Sequence, residues 1–379
     1  MTRYIPLILF FLCLIFACKK EQKIDNPIAH LLQSDNTKIK RVADSLDHFE
    51  VLIKFTQIER IKDSVIFKDY DIQVDAKKYF YPASTVKFPI ALLALEQLNQ
   101  IDSLDEDTRF YVEGDTIETT FATEVSKIFA VSDNHANNRM VEFLGQDAIN
   151  QRLKEKGITP VRISHRLSTD NADEITTKPL VVYLNDSTTT TLEGTINTSP
   201  KPLKIDNIEK GIGFFAEDSL MSGPFSFALK NYYPIAAQHA VLKRIVFPEV
   251  FSENERFDLS NEQRELVLEA MSTLPKAVGY DPVEYYDSYV KFFLFGDTKE
   301  DMPAHIKIFN KVGYAYGTLT DCAYILDTKN KVEFLLTATI LVNKDGIFNE
   351  NVYEYYDIGI PFLAELGREI YNYELNRKK

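Results

Sequence analysis

Phe88, Ala91, Leu92, Leu95 and Leu98 recur at helical spacing, on a stretch that is nearly apolar all round at its start. A helix hydrophobic on every side has to be covered on every side. The segment therefore predicts a helix buried between two lobes, and the rest of the chain has to supply both. It has the means: 379 residues allow two domains or one large domain with two lobes, and 45% apolar with 26% charged residues is ordinary globular composition. The formal net charge of -13, with no dense basic stripe, excludes a nucleic-acid partner.

The first residues read differently. Arg3 gives a positive start, Tyr4 to Ala17 is an unbroken apolar run, and Cys18 precedes Lys19 and Lys20. That is the layout of a signal peptide over residues 1–18, too short for a membrane span. The run Ile15-Phe16-Ala17-Cys18 resembles a bacterial lipobox, with Phe16 an unusual occupant, and implies a lipidated Cys18. The expected product is an exported, membrane-anchored lipoprotein facing the periplasm or the cell exterior, with residues 19–35 as a polar tether. Of the three cysteines only Cys322 lies beyond Cys18, so no internal disulfide is expected, and the six scattered His residues show no metal-ligand spacing. No cofactor is expected; Cys322 reads as a buried thiol and His135 as a solvated helix residue.

Residues 36–379 divide by period. A first helix carries Ile39, Val42, Ala43 and Leu46 and ends near Phe49, and strand-like runs follow at Val51 to Ile58 and Ser64 to Val74. Helical patterns cover Thr123 to Ala130, with Thr123 as N-cap, Asn134 to Leu144, Pro234 to Phe247 and Leu259 to Leu274. Between them, about 172–232 reads as an irregular insert with a small hairpin. Ile306 to Val312, Cys322 to Asp327 and Val332 to Val342 form three antiparallel strands, and Tyr353 to about Leu375 is a closing amphipathic helix. This predicts an α/β (α+β) chain: an antiparallel five-stranded sheet flanked by terminal helices, built from 36–83 and 275–379, plus a mostly α-helical lobe over 84–274.

Three short motifs occur in order: Ser84-Thr85-Val86-Lys87, Ser132-Asp133-Asn134 and Lys311-Val312-Gly313. Each recurs as a decoy elsewhere, at Ser288-Tyr-Val-Lys291, Ser34-Asp35-Asn36 and Lys344-Asp345-Gly346. Context selects the first set, because Ser84 opens the buried helix whereas Ser288 lies in an aromatic, strand-like run and Ser34 in the tether. Read singly, Ser84 is an N-cap, Ser132 to Asn134 a turn, and Lys311 a solvated strand residue. Read together, a Ser and a Lys three apart at a helix start bring nucleophile and base to one face, one turn apart. The positive end of the helix favours a developing alkoxide. Lys87 acts as a base only when neutral, which burial and the second cation Lys311 both encourage.

The ordered set resembles the class A β-lactamase and penicillin-binding serine hydrolase superfamily. The resemblance spans most of residues 36–379 outside the insert. It implies a β-lactamase-like fold and an acyl-enzyme on Ser84, with Lys87 and Ser132 as the other catalytic residues. It implies substrate contacts from Asn134, Lys311, Gly313 and the backbone of Tyr314, the Ser84 and Tyr314 N–H groups forming an oxyanion hole. The expected partner is a small-molecule β-lactam or a cell-wall peptide, bound by a monomer. The alternatives are a peptidase-like enzyme on another amide or ester, and a lipoprotein that keeps the fold as a non-catalytic binding module.

Two departures bear on substrate. The family's water-activating Glu, in an ExxLN motif, has no counterpart in Val161 to Glu174, where Asp170, Asn171, Asp173 and Glu174 are the substitutes on offer. Val312 stands where a hydroxyl residue is usual, which removes a donor for a substrate carboxylate.

Overall fold

The computed structural model describes residues 26–377, so the apolar leader and Cys18 lie outside the described residues. Five strands form one antiparallel sheet in the order Ile306–Ala315, Thr318–Asp327, Val332–Leu341, Leu52–Ile61, Ser64–Ile72. The two ends of the chain meet inside it, where Leu52 pairs with Thr339. Side chains on a strand alternate between faces. Cys322, Tyr324 and Leu335 accordingly enter the core of the helical lobe, while Ala323, Ile325, Phe334 and Leu336 enter a second core under the terminal helices. Tyr316 and Gly317, with φ of 52° and 76°, make the two-residue turn between the first two strands, a geometry that needs positive φ at both positions.

The terminal helices are α1 (Pro27–Leu31), α2 (Thr37–Ala43) and α9 (Ile360–Asn376). Residues 27–31, read as tether, instead form a short helix capped by Asn26 that buries Ile28 against the sheet. α2 stops at Ala43 rather than near Phe49, the chain continuing in turns, and a π-helical turn over Tyr355–Gly359 precedes α9.

The helical lobe surrounds α3 (Lys87–Leu98), in which every residue except Gln97 is buried. Around it stand α4 (Phe121–Ala130), α5 (Asn134–Leu144), α6 (Gln146–Glu155), α7 (Ile235–Val246) and α8 (Asn261–Ser272). Thr120, not Thr123, caps α4, its hydroxyl accepting from the Thr123 N–H at 3.1 Å.

The insert is more regular than its composition suggests. A hairpin of Leu180–Asn185 and Thr188–Leu192 extends a small sheet that starts with Arg109–Val112, and the hairpin Gly213–Ala216/Ser219–Ser222 pairs in parallel with Ile347–Phe348. Phe227, Tyr232 and Phe348 form an aromatic cluster with Tyr79 and Tyr81, just ahead of Ser84. The insert thereby becomes one wall of the groove in front of that residue.

Candidate active site

Ser84 lies in a single 3-10 turn, Ala83–Val86, that runs directly into α3. Side chains at i and i+3 eclipse in such a turn, so Ser84 and Lys87 share a side. Two left-handed residues frame the site: Ala83 with φ of 47° and Ser132 with φ of 59°. Each such conformation costs about 1–3 kcal/mol and survives only where the surroundings impose it. Strain of this kind clusters at functional positions.

Lys87 is buried and its amine donates to the backbone carbonyl of Ser132 and, at 2.6 Å, to Asn134 Oδ1. The same nitrogen is 3.3 Å from Ser132 Oγ. Burial pulls its pKa down to about 7, against the opposing pull of the Asp133 carboxylate. A neutral amine has two N–H groups and one lone pair. With both N–H groups held by carbonyl oxygens, the lone pair of the neutral amine is directed to its third neighbour, Ser132 Oγ. The Ser84 hydroxyl is half-buried and has no hydrogen-bond partner among the described residues. The direct hydroxyl–amine bond expected from the spacing is absent in this conformation because the stronger carbonyl acceptors hold the amine.

Strand alternation delivers the third motif. Lys311 lies opposite Cys322 and faces the helical lobe with it, and its amine donates to Ser132 Oγ and to the Val312 carbonyl, both at 2.8 Å. Ser132 Oγ therefore sits between two lysine amines. Burial, then the charge of Lys87, holds the Lys311 pKa well below that of an ordinary lysine. Asp133 has the architectural role, accepting from the Ala136 N–H at 2.8 Å as the cap of α5. Gly313 permits the strand's close approach: a Cβ there would stand 2.8 Å from Pro82 O, Ser84 N and Thr85 N. Its lack of a side chain sets the distance between the edge strand and the turn that carries Ser84.

Val312 points the other way. It is buried in the core under the terminal helices, so its side chain is not the cleft contact that the motif comparison suggested. The decoy Ser288 to Lys291 is not a strand either: it lies in turns, and Lys291 is buried, donating to Met271 O at 2.6 Å and Asn310 Oδ1 at 2.7 Å. Asn310 donates onward to Asp321 Oδ1 at 2.8 Å. Burial brings the Lys291 pKa down to about 7 and lifts that of Asp321 to about 6. This network fixes the strand residue next to Lys311.

A cleft of about 620 Å³ opens in front of Ser84 and Asn134, and Tyr314, half exposed, forms part of its wall. None of the residues lining it is Asp or Glu. The offered substitutes Asp170, Asn171, Asp173 and Glu174 do not line it; Leu167, Ser168, Thr169 and Ala172 from the same loop do. That loop is pinned by Asn138, which donates to Leu167 O at 2.8 Å and accepts from Leu167 N at 3.0 Å.

Sequence reasoning missed three groups of the wall. Arg166 is buried in a two-pronged pair with Glu142 at 2.6 and 2.8 Å. His165, 5% exposed, places its Nδ1 at 2.5 Å from the Arg166 carbonyl, and its Nε2 is without a hydrogen-bond partner; burial pushes its pKa down to about 4. Lys230 comes from the end of the insert. A His-Arg pair in a loop and a lone Lys carry no spacing signal; only topology brings them together. Cys322 is buried beside Thr337 and His135 is exposed.

The Beta-lactamase enzyme family model matches residues 64–198. No curated protein matches the sequence. Among solved structures the chain is similar to a class A beta-lactamase representative from Bacteroides cellulosilyticus, at 11% identity and a TM-score of 0.52, covering 92% of this chain and 98% of that one. A beta-lactamase from Xanthomonas campestris pv. campestris aligns at 14% identity and 0.52 over 92% and 98% of the two chains. One from Burkholderia vietnamiensis aligns at 13% and 0.53 over 91% and 99%. At these identities the likeness is one of fold. Matched in sequence to the Beta-lactamase enzyme family model over residues 64–198 and in architecture over nearly its whole length, the chain has a β-lactamase-like fold.

Proposed function

We propose that the chain is a serine hydrolase that forms an acyl-enzyme on Ser84 with β-lactams. The observation that carries this reading is the convergence of the three motifs: the buried amine of Lys87, one turn from Ser84, and that of Lys311 both reach Ser132 Oγ, and burial draws the Lys87 pKa down to about 7. Ser84 Oγ bonds to the carbonyl carbon as its proton passes to Lys87 Nζ. The C–N bond of the lactam then breaks, and the departing nitrogen takes a proton through Ser132 Oγ, which the Lys87 and Lys311 amines flank. The negative oxygen that forms in between is held by the Ser84 and Tyr314 N–H groups, each such donor being worth on the order of 10²–10³ in rate. Asn134 binds the substrate's amide side chain, and Gly313 keeps the strand close to it.

A second reading is favoured by the acid-free wall of the cleft. Hydrolysis of the ester needs a base for water, and without one the acyl-enzyme persists, as in a penicillin-binding or peptidase-like enzyme acting on cell-wall peptides or another amide or ester. We also propose that the mature chain is tethered by a lipidated Cys18 and faces the periplasm or the cell exterior, on the pattern of residues 1–20.

Intact-mass spectrometry after exposure to a fluorescent penicillin tests the nucleophile. The expected result is a single adduct on wild type and none on Ser84→Ala; no adduct on wild type leaves a non-catalytic binding module. Many turnovers of a chromogenic cephalosporin support the first reading, and one stoichiometric burst supports the second.

A further inference from the structure

We propose that Lys230, delivered by the insert, anchors a carboxylate of the acyl donor that Ser84 attacks; the inference rests on that reading of Ser84 and specifies the substrate's chemistry.

The cations around the cleft differ in what they have left to give. Lys311 is fully buried, with its amine on Ser132 Oγ and the Val312 carbonyl. Arg166 has no free donor: its five N–H groups meet Glu142 twice and the carbonyls of Asn171, Glu174 and Thr176. Lys230 is the remaining cation among the cleft-lining residues. Its side chain is 26% exposed, and its nearest acid, Asp173 at 3.7 Å, is 75% exposed. That distance is too long for a hydrogen bond, and an ion pair so open to water holds weakly. A substrate carboxylate displaces it at little cost.

The root of this side chain is fixed, whereas its head is held only by the long contact to Asp173. The Lys230 N–H donates to Phe227 O at 2.9 Å, and its carbonyl accepts from Arg162. Phe227 and Tyr232, on either side, are buried against Tyr79 and Tyr81, which lead into the nucleophile turn. The ammonium is thus referenced to the same segment that positions Ser84. Next to it, His165 is kept neutral by burial, with Lys230 adding to the effect, so no competing positive charge arises there. The whole chain is acidic at -13, yet no Asp or Glu lines this cleft. Among the described residues Lys230 is thus the one cation of this wall with donors to give, and a carboxylate on the substrate is the group that complements it.

The test compares acylation of Ser84 by benzylpenicillin, by carbenicillin, which adds a carboxylate to the acyl side chain, and by the methyl ester of benzylpenicillin. Second-order rates are followed by intact mass in wild type, Lys230→Met and Lys230→Arg. At least one anionic probe should react about tenfold faster than the ester on wild type, the preference shrinking as salt is raised. Lys230→Met should abolish the difference between probes and Lys230→Arg should keep it. Equal rates for all probes on wild type, or an undiminished anion preference in Lys230→Met, overturn the assignment while leaving Ser84 in place as nucleophile. Wild type that no probe labels overturns the nucleophile itself, and this inference with it.

Discussion

Adding a single methyl group at Gly313 tests how closely the edge strand must approach the turn that carries Ser84. A Cβ at that position stands 2.8 Å from each of three backbone atoms, Pro82 O, Ser84 N and Thr85 N. None of these is the end of a flexible side chain, so the strand and the turn have to separate. Reaching an ordinary contact near 3.4 Å requires a shift of about 0.6 Å, and the Ser84 N–H is one of the two groups doing the shifting. Misplacing reacting groups by about 1 Å costs on the order of 10² in rate, and losing an oxyanion donor costs a similar factor. Gly313→Ala should therefore lower the acylation rate by about 10²-fold, which corresponds to about 2.7 kcal/mol. Overpacking elsewhere in such cores costs about 1–3 kcal/mol, so the variant should stay folded with a lowered Tm. Stopped-flow measurement of acylation by a fluorescent penicillin, beside a thermal melt, reads both. A Gly313→Ala protein that acylates within threefold of wild type, at an unchanged Tm, would refute the reasoning.

Two further outcomes follow from the geometry. The proposed base Lys87 would work in its neutral form, and burial draws its pKa down to about 7; the acylation rate should climb about tenfold per pH unit below that value and level off above it, whereas a rate independent of pH from 5 to 9 argues against Lys87 as base. Glu142→Leu leaves the buried Arg166 guanidinium without its partner, an arrangement that costs about 3–5 kcal/mol; denaturant unfolding should show the loss, and a variant as stable as wild type would mean that the loop does not depend on the pair.

The parts of the site legible in the sequence are those whose chemistry is local. Ser84 and Lys87 announce themselves by a three-residue interval at the mouth of an apolar helix, and Lys311 and Gly313 by their place on a strand with period two. The rest depended on partners far away in the chain. The stretch around 172–232 reads as irregular with one small hairpin; the strand 180–185 of the hairpin 180–192 also pairs with Arg109–Val112, a distant partner that local pattern does not reveal. Likewise, 213–216 is a strand largely because 347–348 lies beside it. The motif comparison assigned Val312 to the cleft, although alternation from Lys311 already turns it away. Thr120 and Thr123 are both plausible caps on composition; the extended backbone at Thr120 decides between them.

The sheet order carries a consequence for assembly. Leu52–Ile61 is flanked on one side by its immediate successor and on the other by Val332–Leu341, so a chain emerging from its N-terminus holds an open sheet edge for some 270 residues, a span over which closure is slow. For most of that interval Ser84 exists without Lys311. In a nascent chain the proposed site is therefore incomplete, and it is assembled only when the C-terminal strands dock.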